Sequence, residues 1–320
     1  MEMCTLARSI YLRAVVRGLA TWIPGARRLF ARGTGGSNNP RYCYSVWLRH
    51  LAMAHQSGLN TEPLTVAELG PGDSLGLGLC AVLSGSNRYF ALDVVTHAQQ
   101  ERNLAMLDAL VGLFARRTPI PDEDEFPKVT PRLTRYDFPS SVLSDDRLTA
   151  TLAADRLERI RAALRGEPVD GLEIRYVSPW YDARVVEEGA ADLVLSQAVL
   201  EHVEDPRHAY AAMGRWLRPG GVISACIDFR SHGYAREWNG HWGYSDAMWW
   251  VIRGNRPFLI NREPLSTHRR LLAESGFTIV YEQKQQGPTA MPRKHLASRF
   301  RSISDEDLST QSVFVQAVKR

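Results

Sequence analysis

The chain has little cysteine. Its four residues, Cys4, Cys43, Cys80 and Cys226, form no CxxC pair, and none sits beside a second ligand type at zinc spacing. That argues against a disulfide-stapled scaffold or a zinc module, and it suits a reducing compartment rather than secretion. No stretch of eighteen apolar residues occurs, so no membrane-spanning helix is expected. Acids are scarce at one end. Residues 1–35 carry Arg8, Arg13, Arg17, Arg27, Arg28 and Arg32 against Glu2 alone, a balance of +5 in a chain whose total is +4. The remainder is therefore almost neutral, and a folded body without a basic stripe argues against a nucleic-acid partner. Internal repeats and low-complexity segments are also lacking. What is present is globular: 320 residues, 44% apolar and 23% charged, enough chain for one large domain with insertions.

Within the arginine-rich arm, Leu12, Val15, Val16, Leu19, Trp22 and Ile23 recur at i, i+3, i+4, i+7, i+10 and i+11, one face of a helix. Arg13 and Arg17 lie off that stripe. Three readings follow: a terminal helix packed on the domain, a basic amphipathic helix resting on an anionic membrane through residues 1–32, or an acid-poor targeting peptide. Pro24-Gly25 stops the helix, and the run from Gly33 to Pro40 reads as a linker. Residues 1–40 are thus arm and linker, and 41–320 the main domain. The expected location is cytoplasmic, at the inner face of a membrane if the arm binds one.

After an aromatic helix over 41–55, the pattern changes to short apolar runs: Leu64–Leu69, Tyr89–Asp93, Leu172–Val177, Asp192–Ser196 and Val222–Ile227. Helical stretches separate them, which predicts an α/β fold with a doubly wound, mostly parallel sheet. Two late strands are expected over 277–282 and 313–318. The second and third runs are separated by almost eighty residues, far more than a crossover needs. Residues 98–170, with Pro119, Pro121, Pro127, Pro131 and Pro139, the acidic run Asp122–Glu125 and a helix over 148–164, read as an inserted cap, either decoration or a lid.

The chemistry centres on Glu68-Leu69-Gly70-Pro71-Gly72-Asp73-Ser74, at the end of the first strand and the start of a helix. Glycines there let backbone approach a ligand. Asp93 closes the second strand twenty-one residues past Gly72, where an acid can accept both hydroxyls of a ribose. A dinucleotide site would share these features. Glu68, however, would repel a pyrophosphate and suits a cationic ligand such as an ammonium or a sulfonium.

Glu68-x-Gly70-x-Gly72-x-Ser74 resembles the first motif of class I S-adenosylmethionine-dependent methyltransferases, with Ser74 where a third glycine is usual. The segment Asp192–Val203 is similar to that family's fourth-strand motif, and Leu217-Arg218-Pro219-Gly220-Gly221-Val222 to its turn before the fifth strand. The resemblance covers residues 64–230 and, with the two late strands as a terminal hairpin, implies a seven-stranded Rossmann-like sheet. It implies S-adenosylmethionine as cofactor, with Glu68, Gly70 and Gly72 along its methionine part. Asp93 would hold its ribose, and Ser196 and Gln197 would lie near its sulfonium. The acid that often follows the third strand is missing from Val177–Asp182, so Trp180 is offered as the partner of adenine, against a packing role.

The acceptor is read from the strand ends. An aliphatic hydroxyl needs a base or a metal to draw off its proton, whereas an amine does not. Glu201-His202 follows the fourth strand. Similar methyltransferases of ubiquinone biosynthesis carry Glu-x-x-Glu-His there, which can bind magnesium. Ala198 replaces the first glutamate, so a divalent metal is left open. Asp228 and His232, after the fifth strand, read as a base with its orienting carboxylate or as two ligands of a cation. Half of the eight tryptophans fall within 238–250, and Trp238, Asn239, His241 and Trp242 are candidate contacts to a sugar. The expected function is O-methylation of a saccharide, glycan or polar natural product. An N-methyltransferase of a small metabolite and a cofactor-binding regulator without activity are the alternatives.

Overall fold

The computed structural model describes residues 12–23 and 36–320. Arg8, Arg27, Arg28, Arg32, the Pro24-Gly25 stop and the start of the linker lie outside the described residues. Seven strands form: β1 (Thr65–Leu69), β2 (Arg88–Leu92), β3 (Glu173–Val177), β4 (Ala191–Gln197), β5 (Leu217–Asp228), β6 (Phe277–Gln286) and β7 (Thr310–Lys319). They make one sheet in the order β3-β2-β1-β4-β5-β7-β6. The first five run parallel, and β7 is antiparallel to both β5 and β6. The expected doubly wound α/β architecture is therefore present. Strand order reverses between β1 and β4, which opens a ligand crevice at the carboxyl ends of those strands.

Helices cover both faces. The N-terminal α1 spans residues 12–20. It is followed by α2 (Pro40–Gln56), α3 (Gly76–Leu83), α4 (Gln100–Ala115), α5 (Asp145–Thr151), α6 (Ala154–Leu164), α7 (Pro206–Trp216), α8 (Asp246–Arg253) and α9 (Leu265–Glu274). The linker ends where Asn39 caps α2, its side chain accepting from the N–H groups of Arg41 and Tyr42, with Pro40 at the first helical position. One core cluster joins α2, α3 and α4 to one face of the sheet; a second joins α7 and α9 to the other.

Residues 98–170 pack into the first of these cores through Leu107, Leu110, Phe114, Leu143, Leu148 and Ile160. The helix expected over 148–164 is two, α5 and α6. Arg49 of α2, with no exposed surface, ties the stretch down by donating to the carbonyls of Pro121, Val129 and Pro131. Thr130 then reaches the strand ends, lying 2.5 Å from the Cys226 thiol.

The seating of α1 differs from a simple packed terminal helix. Ala14, Gly18 and Thr21 face the body with Val15 packed beside them, and the rest of the apolar stripe, Leu12, Val16, Leu19, Trp22 and Ile23, points away from it. The reason is steric. Gly18 passes so close to α8 that a Cβ there would lie 2.1 Å from the Val251 carbonyl oxygen. Only the small-residue side of the helix fits.

Candidate active site

The glycine turn leaves β1 with Gly70 at φ +75° and Gly72 at φ +73°, a left-handed backbone that explains glycine at both positions. A Cβ on Gly70 would stand 2.5 Å from Cγ2 of Val199, so the turn also lies directly against the segment after β4. The Gly72 N–H donates to Oδ2 of Asp93 at 3.2 Å, and Oδ1 of Asp93 accepts from the Val94 N–H at 2.7 Å. The turn and the acid are thus one unit. Asn103 of α4 supports it, accepting from the Leu75 N–H at 3.0 Å, and Ser37 accepts from the Asp73 N–H at 2.8 Å.

Glu68 lies behind the turn. It is buried, and it accepts a 2.5 Å hydrogen bond from the Tyr89 hydroxyl. Burial pushes its carboxyl up to about 7, against the opposing pull of Tyr89 and the Gly78 N–H. Burial therefore favours its neutral form, and the Tyr89 hydroxyl fixes the carboxyl in place.

Ser196 and Gln197 end β4. The Ser196 hydroxyl is buried and has no hydrogen-bond partner, a polar atom held ready for a ligand. Gln197 is oriented by His50 of α2, whose Nε2 lies 2.9 Å from Oε1, while His50 Nδ1 lies 2.8 Å from the Ser224 hydroxyl. Burial drives the His50 imidazole down to about 4, so it stays neutral. The orphan hydroxyl, the glycine backbone and the ribose-type acid together fit a cationic sulfur nucleoside.

Trp180 offers it little. The ring is 5% exposed, stacked on His208 at 6.1 Å and set edge-on to Trp216 at 5.2 Å. This is the packing of a core tryptophan.

Beyond the cofactor crevice, the ends of β4 and β5 bring Glu201, His202, Asp228 and His232 together. Nε2 of His232 is 3.5 Å from Oδ2 of Asp228, and the His202 and His232 rings meet edge to face at 5.0 Å. His232 adopts φ +48°, a costly conformation for a residue with a side chain, which turns the ring back over the strand end. Arg230 grips Asp228 with two bonds of 2.8 and 2.7 Å. Burial opposes the Asp228 charge, but His232 and Arg230 outweigh it and hold the carboxyl well below the usual range. His202 is driven down to about 4 by burial and then by His232.

Glu201 is the residue whose weight the sequence pattern understated. It is buried, and neither carboxylate oxygen nor Nδ1 of His202 makes a hydrogen bond. The backbone N–H groups of Glu201 and Asp228 approach the carboxylate only loosely. Burial, and then Asp228, push its pKa well above the ordinary value. Glu201, His202 and His232 each offer a ligand atom, all within 4.8 Å of one another. This set has the donors and spacing to hold a divalent cation.

The aromatic run does not form the expected sugar platform. Asn239, His241 and Trp242 are buried. Asn239 exchanges hydrogen bonds with the Met291 backbone, and Trp242 donates to the Arg262 carbonyl at 2.9 Å. Trp238 packs on the same small core, with Trp242, Phe300 and Leu308. Their chemistry is spent on holding the loop after β5.

Residues 148–225 match the family model described as a methyltransferase domain. No curated protein matches the chain. Among solved structures, the chain is similar to an S-adenosylmethionine-dependent methyltransferase from Mesorhizobium loti, at 15% identity over 80% of this chain and 91% of that one, with a TM-score of 0.39. It is also similar to phosphoethanolamine N-methyltransferase 2 from Haemonchus contortus (14%, 88% and 57%, 0.40). A third is geranyl diphosphate C-methyltransferase from Streptomyces coelicolor A3(2) (13%, 85% and 79%, 0.40). Likenesses that distant decide nothing. The matched segment covers 78 of the 320 residues; the sheet order and the glycine turn with Asp93 give the chain the class I methyltransferase fold and a crevice suited to S-adenosylmethionine.

Proposed function

We propose that the protein methylates a hydroxyl on a polar small molecule, a saccharide or natural product. The observation that supports this is the contact of Asp228 with His232 at the end of β5, 3.5 Å apart. An alcohol keeps its proton at neutral pH, so attack on carbon needs a base placed at that oxygen. Asp228, ionised and clamped by Arg230, orients His232, and the His232 ring takes the hydroxyl proton. His202, kept neutral, lines the same wall and accepts or donates one hydrogen bond to the acceptor. Polar groups rather than an aromatic platform would recognise it, which is why a polar acceptor is preferred to a flat one.

S-adenosylmethionine supplies a methyl group made electrophilic by its sulfonium. Gly70 and Gly72 bring backbone against the methionine portion, with the buried Glu68 carboxyl behind them. Asp93 accepts from the ribose hydroxyls, and Ser196 and Gln197 face the sulfur. Because the displacement is in-line, alignment and exclusion of water supply most of the rate. An amine acceptor would leave Asp228 and His232 dispensable. The test is formation of S-adenosylhomocysteine with panels of sugars, other alcohols and amines. The expected result is turnover on alcohols, with Asp228→Asn lowering kcat by about 10²-fold at unchanged cofactor affinity. Turnover on amines alone with full activity in Asp228→Asn, or cofactor binding with no turnover on any acceptor, would overturn the reading.

A further inference from the structure

The outward side of α1 has the wrong polarity for a helix on a water-soluble body. Leu12, Val16, Leu19 and Ile23 are 62%, 54%, 53% and 61% exposed. At 100° per residue they share one narrow arc, opposite the buried Ala14, Gly18 and Thr21. A helix stabilised only by its own domain would bury the large residues and expose the small ones. The inverted seating is firmly built. A Cβ on Gly254 would lie 2.2 Å from the Gly18 carbonyl oxygen, and the Asn255 N–H donates to the Thr21 hydroxyl at 2.8 Å. Trp22 and Trp250 of α8, both more than half exposed, stand 6.1 Å apart and extend the apolar face.

Beside this face lies a cavity of about 280 Å³ lined by Arg13, Arg17 and Arg236, with Ala14, Gly233, Tyr234 and Ala235. No acid lines it, and among the described residues none of the three arginines forms an ion pair. Three exposed guanidinium groups with no ion pair among the described residues, around an open cavity, suit an anion with several acceptor oxygens, which is phosphate chemistry. An apolar stripe, paired tryptophans and a basic flank are the features of a helix lying in a bilayer interface. Pairing with a second copy through this face would bring two sets of arginines together with no acid between them.

We propose that the outward face of α1 and Trp250 dock on an anionic phospholipid bilayer, with a lipid headgroup phosphate in the cavity between Arg13, Arg17 and Arg236. The cavity floor, residues 233–236, directly follows His232. Docking therefore sets the acceptor side of the site close to the membrane surface. The inference goes beyond methyl transfer and does not depend on it.

Co-sedimentation of the full chain with vesicles tests it, using phosphatidylcholine alone and phosphatidylcholine mixed with phosphatidylglycerol. The expected result is pelleting with the mixed vesicles only, weakened about fivefold by each of Arg13→Gln, Arg17→Gln and Arg236→Gln. Leu19→Glu combined with Trp22→Glu removes it, while S-adenosylmethionine binding by calorimetry stays at the wild-type value and reports an intact fold. No pelleting with mixed vesicles, or pelleting undiminished in these variants, overturns the proposal. So does a dimer in light scattering that Leu19→Glu splits, because a second copy would then be the occupant.

Discussion

Nε2 of His50 and Oε1 of Gln197 meet at 2.9 Å across 147 residues of sequence. The bond fixes which way the Gln197 amide points, with its nitrogen directed at the Thr130 carbonyl 3.4 Å away. His50 touches no ligand in this arrangement and acts by positioning. Replacing it with leucine leaves the Gln197 oxygen without its partner, at a stability cost of about 1–3 kcal/mol. The affinity for S-adenosylmethionine, measured by calorimetry, is expected to fall about tenfold, with little change in the pH profile of kcat. His50→Gln, which retains a donor, should restore part of the affinity; a purely structural role would restore melting temperature alone.

Glu201 separates two states of the site. Its raised carboxyl pKa means that the stability it contributes is fully present below the unfolded value and lost as pH rises through the folded value. In the absence of a cation, Glu201→Gln removes that penalty and raises the melting temperature at neutral pH. If a divalent ion is held, manganese or magnesium raises the melting temperature of the native protein and leaves Glu201→Gln unmoved. Thermal scans with and without metal check both.

Acid should weaken the fold early. His50, His202 and His268 are each driven down to about 4 and His241 to about 3, in every case first by burial. These are depressed values, so their stabilisation is present above the unfolded histidine pKa of about 6.5 and is lost as pH falls below it. The urea midpoint of the native protein, taken relative to that of His268→Gln, is expected to decline between about pH 6.5 and 4; the difference separates the buried histidine from Glu68 and Glu201, whose raised carboxyls act in the opposite sense over the same window. A difference that stays flat would contradict the burial of the His268 ring.

Gly70→Ala is predicted to disable the cofactor crevice. The left-handed backbone alone costs about 1–2 kcal/mol with a Cβ, and the methyl group would lie 2.5 Å from Val199. Adding Val199→Ala relieves the contact but not the backbone, so the double variant should recover only part of the lost melting temperature. Calorimetry should show cofactor binding weakened in both.

Much of the fold was legible because buried strands leave contiguous apolar runs; the half-buried edge strands β3 and β6, with mixed sequences, also stand where they are expected. The glycine turn and Asp93 were legible for a related reason: backbone geometry there admits few residue types. The acceptor side was harder. Trp238, Asn239, His241 and Trp242 have the composition of a sugar platform, and only their burial reveals them as packing and loop support. His50, Asn103 and Thr130 were missed because their importance comes from partners 147, 28 and 96 residues away. The stripe on α1 was visible as a period, but a period does not say which side of a helix meets the body; the close passage of Gly18 decides that.

The guanidinium of Arg49, sealed from water, gathers carbonyls from three points of one eighty-residue excursion. Any shortened version of this enzyme that deletes residues 121–131 would strand a positive charge in an apolar interior, at several kcal/mol. The distal helices α5 and α6 carry no such tether to Arg49. Leu148 and Ile160 nevertheless seat those helices in the same core, so a minimal chain would keep them too, and grafting the methyl-transfer site onto another scaffold would have to bring Arg49 and its three carbonyl partners along.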